Sequence, residues 1–450
     1  MSDSATGSSC VFAPGHLGEL TAVVPPEMVD AALRTGRGTE QRLRLIPSRV
    51  VVYLLLAGAL FTGQGWLQVW SRLTAGLGYS PGRPAKSALS EAMRRVGPKP
   101  LRELFTLLAG PTPCRSRQTL FAGRVVVAID GTQILVADTE ANRVQFPKHC
   151  SGPNGEAGYP MIRLVALVTA GTRSVIEVVF GSDQVGELTY ADQLMPALRP
   201  GMLLLADRNF ATYTFFHRVA GTGADFLFRG KTGKTAMKLP VLERLPDGSY
   251  LTQAATTRVR VIDAVVTITT VAGTRSSQYR LITTLLDPRE ASARQLVKLY
   301  HHRWEIETAY CELKSTILGG RVLRARYPAG VEQEVWALLA AYQCLRIAMS
   351  DAILHQPHID PGRLSFTTAL NTARDQVILA DQTMTDTVID LVGRIGAALL
   401  ANLIPYTAPR TRPRVIKRAI SKYRAKGRDT DHSTYPATLR TQIQQIGPDP

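Results

Sequence analysis

Two apolar runs end on an acid. RVVVAID stops at Asp130, ahead of Gly-Thr, and MLLLAD stops at Asp207, ahead of Arg-Asn-Phe. A carboxylate at the end of a buried strand costs free energy unless something compensates it. In open α/β sheets, strand ends are also where ligands bind. Either Asp alone reads equally as a helix N-cap or a turn residue. Two of them on strands of one sheet point to a shared site.

A third acid lies in LVKLYHHRWEIETAYCELKST, residues 296–316. On a helix advancing ~100° per residue, Tyr300, Arg303, Glu307 and Lys314 share an arc of about 60°. Leu299, Ile306, Ala309, Leu313 and Ile317 form a separate apolar face. A solvated helix face carrying i,i+4 ion pairs would also be charged, but here Glu307 is the one acid in a stripe of cations and a phenol. Trp304, beside the stripe, suits packing against neighbouring strands or stacking on a base. Tyr310 reads as core edge, Glu305 and Glu312 as solvated, and Asp138, Glu140 and Asp183 as loop acids.

Three carboxylates close together raise one another's pKa unless a divalent ion neutralises them. Oxygen-only ligands select hard cations, here Mg²⁺ or Mn²⁺. Two such ions about 3.5–4 Å apart serve both the attacking and the leaving oxygen at one phosphorus. The cationic stripe of Tyr300, Arg303 and Lys314 would hold the phosphodiester.

Elements must bring these residues together. Residues 1–115 read as helical, with apolar spacing over Pro26–Thr35, Pro47–Phe61 and Gly65–Ala75. SALSEAMRRVG follows with Ser87 as N-cap and Gly97-Pro98 as stop, then Leu101–Leu108. Lys86, Arg94, Arg95, Lys99 and Arg102 make this pair either a helix-turn-helix or a basic bundle surface. RVVVAID, MIRLVALVTA and SVIEVVF read as an antiparallel meander, and MLLLAD as a strand between helices 187–198 and 211–220. Residues 226–286 read as an all-β insertion. Helices return at Glu290. A basic stretch, PRTRPRVIKRAISKYRAKGR, carries Arg412, Arg414, Lys417 and Arg418 among others, with no acid between them. Residues 429–450 read as disordered. The organisation is therefore a mixed α/β core, residues 116–225 and 287–345, with a helical N-terminal domain, a β-rich insertion and a helical and basic region, 346–428.

Net charge is +17 and the apolar fraction 45%, so the chain is globular and its partner polyanionic: nucleic acid first. The longest apolar run, VVVYLLLAGALF at 50–61, falls short of the roughly 20 residues of a spanning helix. The N-terminus lacks a signal pattern, which makes the cytoplasm the default. Five scattered cysteines form neither a disulfide framework nor a zinc site.

The Tyr300-x2-Arg303-x3-Glu307-x6-Lys314 spacing resembles the Y-R-E-K signature of DDE transposases of the insertion-sequence-four family. AIDGT around Asp130 and ADRNF around Asp207 resemble that family's two Asp motifs. RLRLIPSRVVVYLLL and SALSEAMRRVG resemble its N-terminal domain, and PRVIKRAISKY its C-terminal basic segment, so the likeness spans roughly residues 15–425. It implies a ribonuclease-H-like core, interrupted before Glu307 by the insertion, with Asp130, Asp207 and Glu307 as catalytic ligands of two Mg²⁺ or Mn²⁺ ions. The 100 residues between Asp207 and Glu307 leave room for that insertion.

The family's chemistry would be cut-and-paste transposition in the bacterial cytoplasm, at the nucleoid. A homodimer pairs two inverted-repeat ends of double-stranded DNA, frees their 3′-OH groups and joins these to target DNA. Arg94, Arg95 and Lys99 would read ends; Arg208, Trp304 and the basic segment would add contacts. Members that form a DNA hairpin flip a base, often on a Trp of the insertion. Here the tryptophans are Trp66, Trp70, Trp304 and Trp336, and the insertion's aromatics are Phe226, Phe228, Tyr250 and Tyr279. A transposase-derived DNA-binding protein and a structure-specific nuclease on the same fold are the alternatives.

Overall fold

The computed structural model describes residues 15–36, 44–77, 82–110, 120–150, 156–380, 393–405, 410–411, 433 and 435–444. Cys10, Cys114 and the basic residues Arg412, Arg414, Lys417 and Arg418 lie outside them.

Five helices open the chain: α1 (Pro26–Thr35), α2 (Ser48–Leu60), α3 (Trp66–Leu73), α4 (Lys86–Val96) and α5 (Lys99–Leu108). The expected segments are all helical. Ala85, not Ser87, caps α4, and the helix stops at Gly97, whose φ of 66° suits glycine. All but one residue of α2 is buried, as its unbroken apolar run requires.

The sheet follows. Its strands are β1 (Arg124–Leu135), β2 (Met161–Thr169), β3 (Val175–Ser182), β4 (Met202–Ala206) and β5 (Asp225–Gly230). They are joined by helix α6 (Glu140–Gln145) after β1, by α7 (Glu187–Asp192) before β4, and by α8 (Tyr213–Gly221) before β5. Their spatial order is β3-β2-β1-β4-β5. β1, β2 and β3 pair antiparallel, as the meander predicts, whereas β4 runs parallel to both β1 and β5. This is a mixed α/β core, as the sequence leads one to expect, with three antiparallel strands followed by two parallel ones.

Two features differ from that reading. Residues 226–230, assigned to the insertion, belong to core strand β5, and Phe226 and Phe228 pack with Phe216 of α8 inside the core. Strands β6 (Tyr250–Ala254), β7 (Thr257–Thr270) and β8 (Gly273–Thr283) then extend the same sheet through β5–β8 pairing, so they build no separate one. Of the segment read as disordered, Thr438–Ile443 forms β9, antiparallel to β7 at Ala264–Thr269. Alternation of apolar and polar residues is weak in TLRTQI; the open edge of β7 supplies the order.

The sheet is buried on both faces. Val126, Ala128, Leu203 and Leu205 point to a layer made by α9 (Ala293–Tyr300), α10 (Trp304–Cys311) and α11 (Pro328–Ala352). Val127, Ile129, Leu204 and Ala206 point to α7 and α8. The first layer is continuous with α2 and α5, so the N-terminal helices share the catalytic region's core. Polar ties reinforce this: Gln333 donates to the carbonyls of Met93 and Gly97, at 3.0 and 2.8 Å. Helices α12 (Phe366–Leu379) and α13 (Gly393–Ala401) close the bundle. Among the described residues, no helix is long and apolar enough to cross a membrane.

Candidate active site

Parallel register sets the first two acids side by side. Val125 pairs with Met202 and Ala128 with Leu205, and the same register carried two residues further sets Asp130 level with Asp207. Side chains alternate along a strand, so both acids lie on the face covered by α9 and α10. Asp130 sits within β1 and Asp207 one residue beyond β4.

The third acid arrives from the helix layer. Glu307 is on α10 and is tied to Asp130 by Arg303, whose Nη1 donates to Asp130 Oδ2 at 3.1 Å and Nη2 to Glu307 Oε1 at 2.7 Å. Residues 296–317 are not one uniform α-helix. A 3₁₀ turn, His301–Arg303, separates α9 from α10, and a π turn, Glu312–Ile317, follows. The first is tighter than α and the second wider, so they turn the stripe in opposite senses. Lys314 still meets the site, where its Nζ donates to Thr132 Oγ1 at 3.1 Å.

Tyr300 departs from the reading as a phosphate ligand on an open stripe. It is buried, and its hydroxyl donates to the Ala206 carbonyl at 3.3 Å. Its place is to anchor the helix to the end of β4. Trp304 is 56% exposed, with the Arg303 guanidinium 5.6 Å from its ring centre. Arg208 is exposed beside Asp207. Arg94, Arg95 and Lys99 are exposed too, on α4 and α5, with Arg94 lying over the Tyr327 ring and Arg95 donating to the Ile46 carbonyl.

Electrostatics mark Asp130. Burial pushes its carboxyl up to about 7, against the pull of the Gly131 N–H and Arg303, with Asp207 and Glu187 adding to the rise. Burial works against the Arg303 charge, yet Tyr300, Glu307 and Asp130 outweigh it and keep the guanidinium protonated. Burial lowers the pKa of Lys314.

Several residues at and around the site escape a sequence reading. Tyr310, taken for core edge, donates its hydroxyl to the Asp130 carbonyl at 2.6 Å. Glu187 opens α7 on the opposite layer and accepts a hydrogen bond from Asn209, whose own N–H donates to Asp207 Oδ1 at 2.8 Å. Burial raises the Glu187 carboxyl, opposed by Asn209 and reinforced by Asp207. Only the acid at the first turn of α7 and the Asn of ADRNF hint at this. Glu312, read as solvated, is buried; it pairs with Arg346 and Arg173 and accepts from the Tyr342 hydroxyl. Arg346 and Arg173 outweigh the penalty of burial and hold its carboxyl below the usual range. Glu305 pairs with Arg173 as well. Asp183 is buried and accepts from Gln133.

A hard cation fits this donor set, which is all oxygen and short of positive charge once Arg303 is discounted. Among the described residues, no three His, Cys, Asp or Glu side chains are gathered as an ion would need. Arg303 holds Asp130 and Glu307 together, and among the described residues its buried Nε has no acceptor.

Comparison with known proteins agrees with the geometry. The family described as Transposase DDE domain matches residues 121–344, and Insertion element 4 transposase N-terminal matches residues 14–106. The chain is 27% identical over 353 residues to transposase InsG for insertion sequence element IS4 of Escherichia coli (strain K12), covering 76% of this chain and 78% of that one. It is 24% identical over 190 residues to the putative transposase InsZ of the same organism, 42% of this chain and 62% of InsZ. A cryo-EM structure of the piggyBac transposase synaptic complex with hairpin DNA aligns over 87% of this chain and 85% of that one, at 10% identity and a TM-score of 0.42. With the N-terminal and catalytic matches following one another along the chain, and the three acids lying inside the second, the chain belongs to the insertion-sequence-four family of DDE transposases.

Proposed function

We propose that this transposase binds the inverted-repeat ends of an insertion sequence, cuts them at Asp130, Asp207 and Glu307, and joins the freed 3′ ends to target DNA. One observation carries the reading: Asp130 and Asp207 stand level on adjacent parallel strands, and Arg303 links Asp130 to Glu307.

A DDE transposase implies a divalent-metal site. Asp130, Asp207 and Glu307 would hold two Mg²⁺ or Mn²⁺ ions, which when bound activate the attacking oxygen and stabilise the leaving one. To hold the ions, Asp130 and Glu307 would have to be released by Arg303, which now donates to both. The freed guanidinium, with Nε already lacking an acceptor, can grip a phosphate through two parallel hydrogen bonds. Lys314, about three turns along, meets the neighbouring phosphate as a point charge. Tyr300 and Tyr310 keep the helix and the Asp130 backbone in register. Water is the nucleophile in the first cut, and the resulting 3′-OH is the nucleophile in joining. Trp304 is placed to stack on a base.

End recognition falls to the N-terminal helices, with Arg94, Arg95 and Lys99 as contacts, and the basic stretch at 410–428 adds phosphate contacts. Two copies pair the ends, each subunit cutting the end its partner holds. The test is incubation of the full chain with Mg²⁺ and DNA carrying the element's inverted repeats. The reading expects single-strand nicks at the ends followed by end-to-target joints. Binding without nicks, or nicks with no joints at any Mg²⁺ or Mn²⁺ concentration, would overturn it.

A further inference from the structure

We infer that Glu187 is a fourth carboxylate of the metal site, completing the ligand set from the side of the sheet opposite Glu307. The inference rests on the assignment of Asp130, Asp207 and Glu307 as the ion ligands. The family supplies the need for a cation; the question is which oxygens reach it.

Three observations carry Glu187 to that place. The first is a glycine that conformation does not explain. Gly131 follows Asp130 inside β1, with no positive φ, yet a Cβ there would collide with Glu187 Oε1. Residue 131 faces the α7 layer, because Asp130 faces α10. Absence of a side chain at 131 is therefore what lets the Glu187 carboxylate close onto β1 beside Asp130.

The second is the Gly131 amide, which donates to Asp130 Oδ1 at 2.9 Å. The residue that makes room for Glu187 therefore also holds Asp130, and the two carboxylates meet at it from opposite faces of β1. The third is Asn209, which donates through its side chain to Glu187 Oε2 and through its backbone to Asp207 Oδ1. Glu187 is thereby tied to both strand acids by one intermediary each. Arg163 pulls on the Glu187 carboxyl through space, but the hydrogen bond it accepts comes from Asn209, in contrast to Glu312, which two arginines neutralise directly.

A structural carboxylate would be expected to pair with a cation of the protein, as Glu305 and Glu312 do. Glu187 instead adds a further negative charge where Asp130 and Asp207 already stand. Ions of this kind take about six oxygen ligands, and three carboxylates shared between two ions leave positions to fill. Glu187 would supply one of them from the α7 face of the sheet.

The test is Mn²⁺ binding to the full chain without DNA, followed by electron paramagnetic resonance of free Mn²⁺, with nicking measured in parallel. Glu187→Gln should fold as the parent does and lose one of two bound ions, or bind it more than about ten-fold more weakly, the loss that even an outer partner of a ligand causes. Gly131→Ala leaves all four carboxylates in the sequence but displaces Glu187, and should lose the same ion. Unchanged stoichiometry and affinity in both variants would overturn the inference. Asp130→Asn and Asp207→Asn keep the two readings apart. If they abolish Mn²⁺ binding while Glu187→Gln does not alter it, the inference about Glu187 alone falls. If none of the four changes binding, the assignment of the strand acids falls with it.

Discussion

Removing Arg303 should tighten metal binding while abolishing cleavage. Arg303 is 11% exposed and neutralises two acids at once, Asp130 at 3.1 Å and Glu307 at 2.7 Å. Hydrogen bonds to charged groups contribute about 1.5–3 kcal/mol each. Glu307 is 39% exposed, so solvent screens that arm and it counts for little. Asp130 is 20% exposed and retains most of its share. A cation entering the site must displace the guanidinium, and Arg303→Ala removes that cost. At 1.4 kcal/mol per decade, the gain is about one to two orders of magnitude in Kd for Mn²⁺. Nicking of end DNA should nevertheless fall nearly to background, because the fork that grips the phosphate is gone. Arg303→Lys should lie between, neutralising one acid and gripping no phosphate bidentately. Calorimetric Mn²⁺ titration and a nicking assay on the same preparations give both readings. Arg303→Ala binding Mn²⁺ no more tightly than the parent would refute the competition, and near-parental nicking would refute the phosphate role.

Other consequences follow from the shell around the site. Glu312→Gln leaves Arg346 and Arg173 without their buried counter-charge and should destabilise the fold by about 3–5 kcal/mol, read as a lower urea midpoint. Because the Glu312 carboxyl is held below its ordinary value of 4.5, its contribution is complete above that pH and is lost as pH falls through the depressed value, so the gap between parent and variant should close in acid. Tyr310→Phe removes the 2.6 Å bond to the Asp130 carbonyl; a loss of about 1 kcal/mol should lower the nicking rate several-fold with end binding unchanged. Exchanging Arg412, Arg414, Lys417 and Arg418 for Gln should weaken binding to specific and random DNA alike and flatten the salt dependence by about 0.9 for each phosphate no longer neutralised. Substitution is the cleaner experiment than deletion, since Thr438–Ile443 covers the edge of β7.

The site's framework was legible because it rests on local patterns. Apolar runs ending in Asp130 and Asp207 are strands whatever surrounds them, and the spacing from Tyr300 to Lys314 survives the 3₁₀ and π turns because these offset. What escaped depends on tertiary packing. Glu312 looks solvated on a uniform helix, and becomes buried because the π turn and α11 enclose it with Arg346. Tyr300 shares the arc of Arg303 but spends its hydroxyl on β4. Glu187 could not be found by spacing, since it lies on the other layer and reaches Asp130 only across a glycine. β9 carries little periodicity and owes its order to the edge it pairs with.

The central claim concerns three carboxylates, and amide substitutions test it most directly. Asp130→Asn, Asp207→Asn and Glu307→Gln keep side-chain shape and remove the charge that holds a divalent ion. With labelled inverted-repeat DNA and Mg²⁺, each should bind ends within about two-fold of the parent, since DNA contacts are made mainly to phosphates by other groups. None should nick them above background. Near-parental nicking by any one of the three would contradict the account.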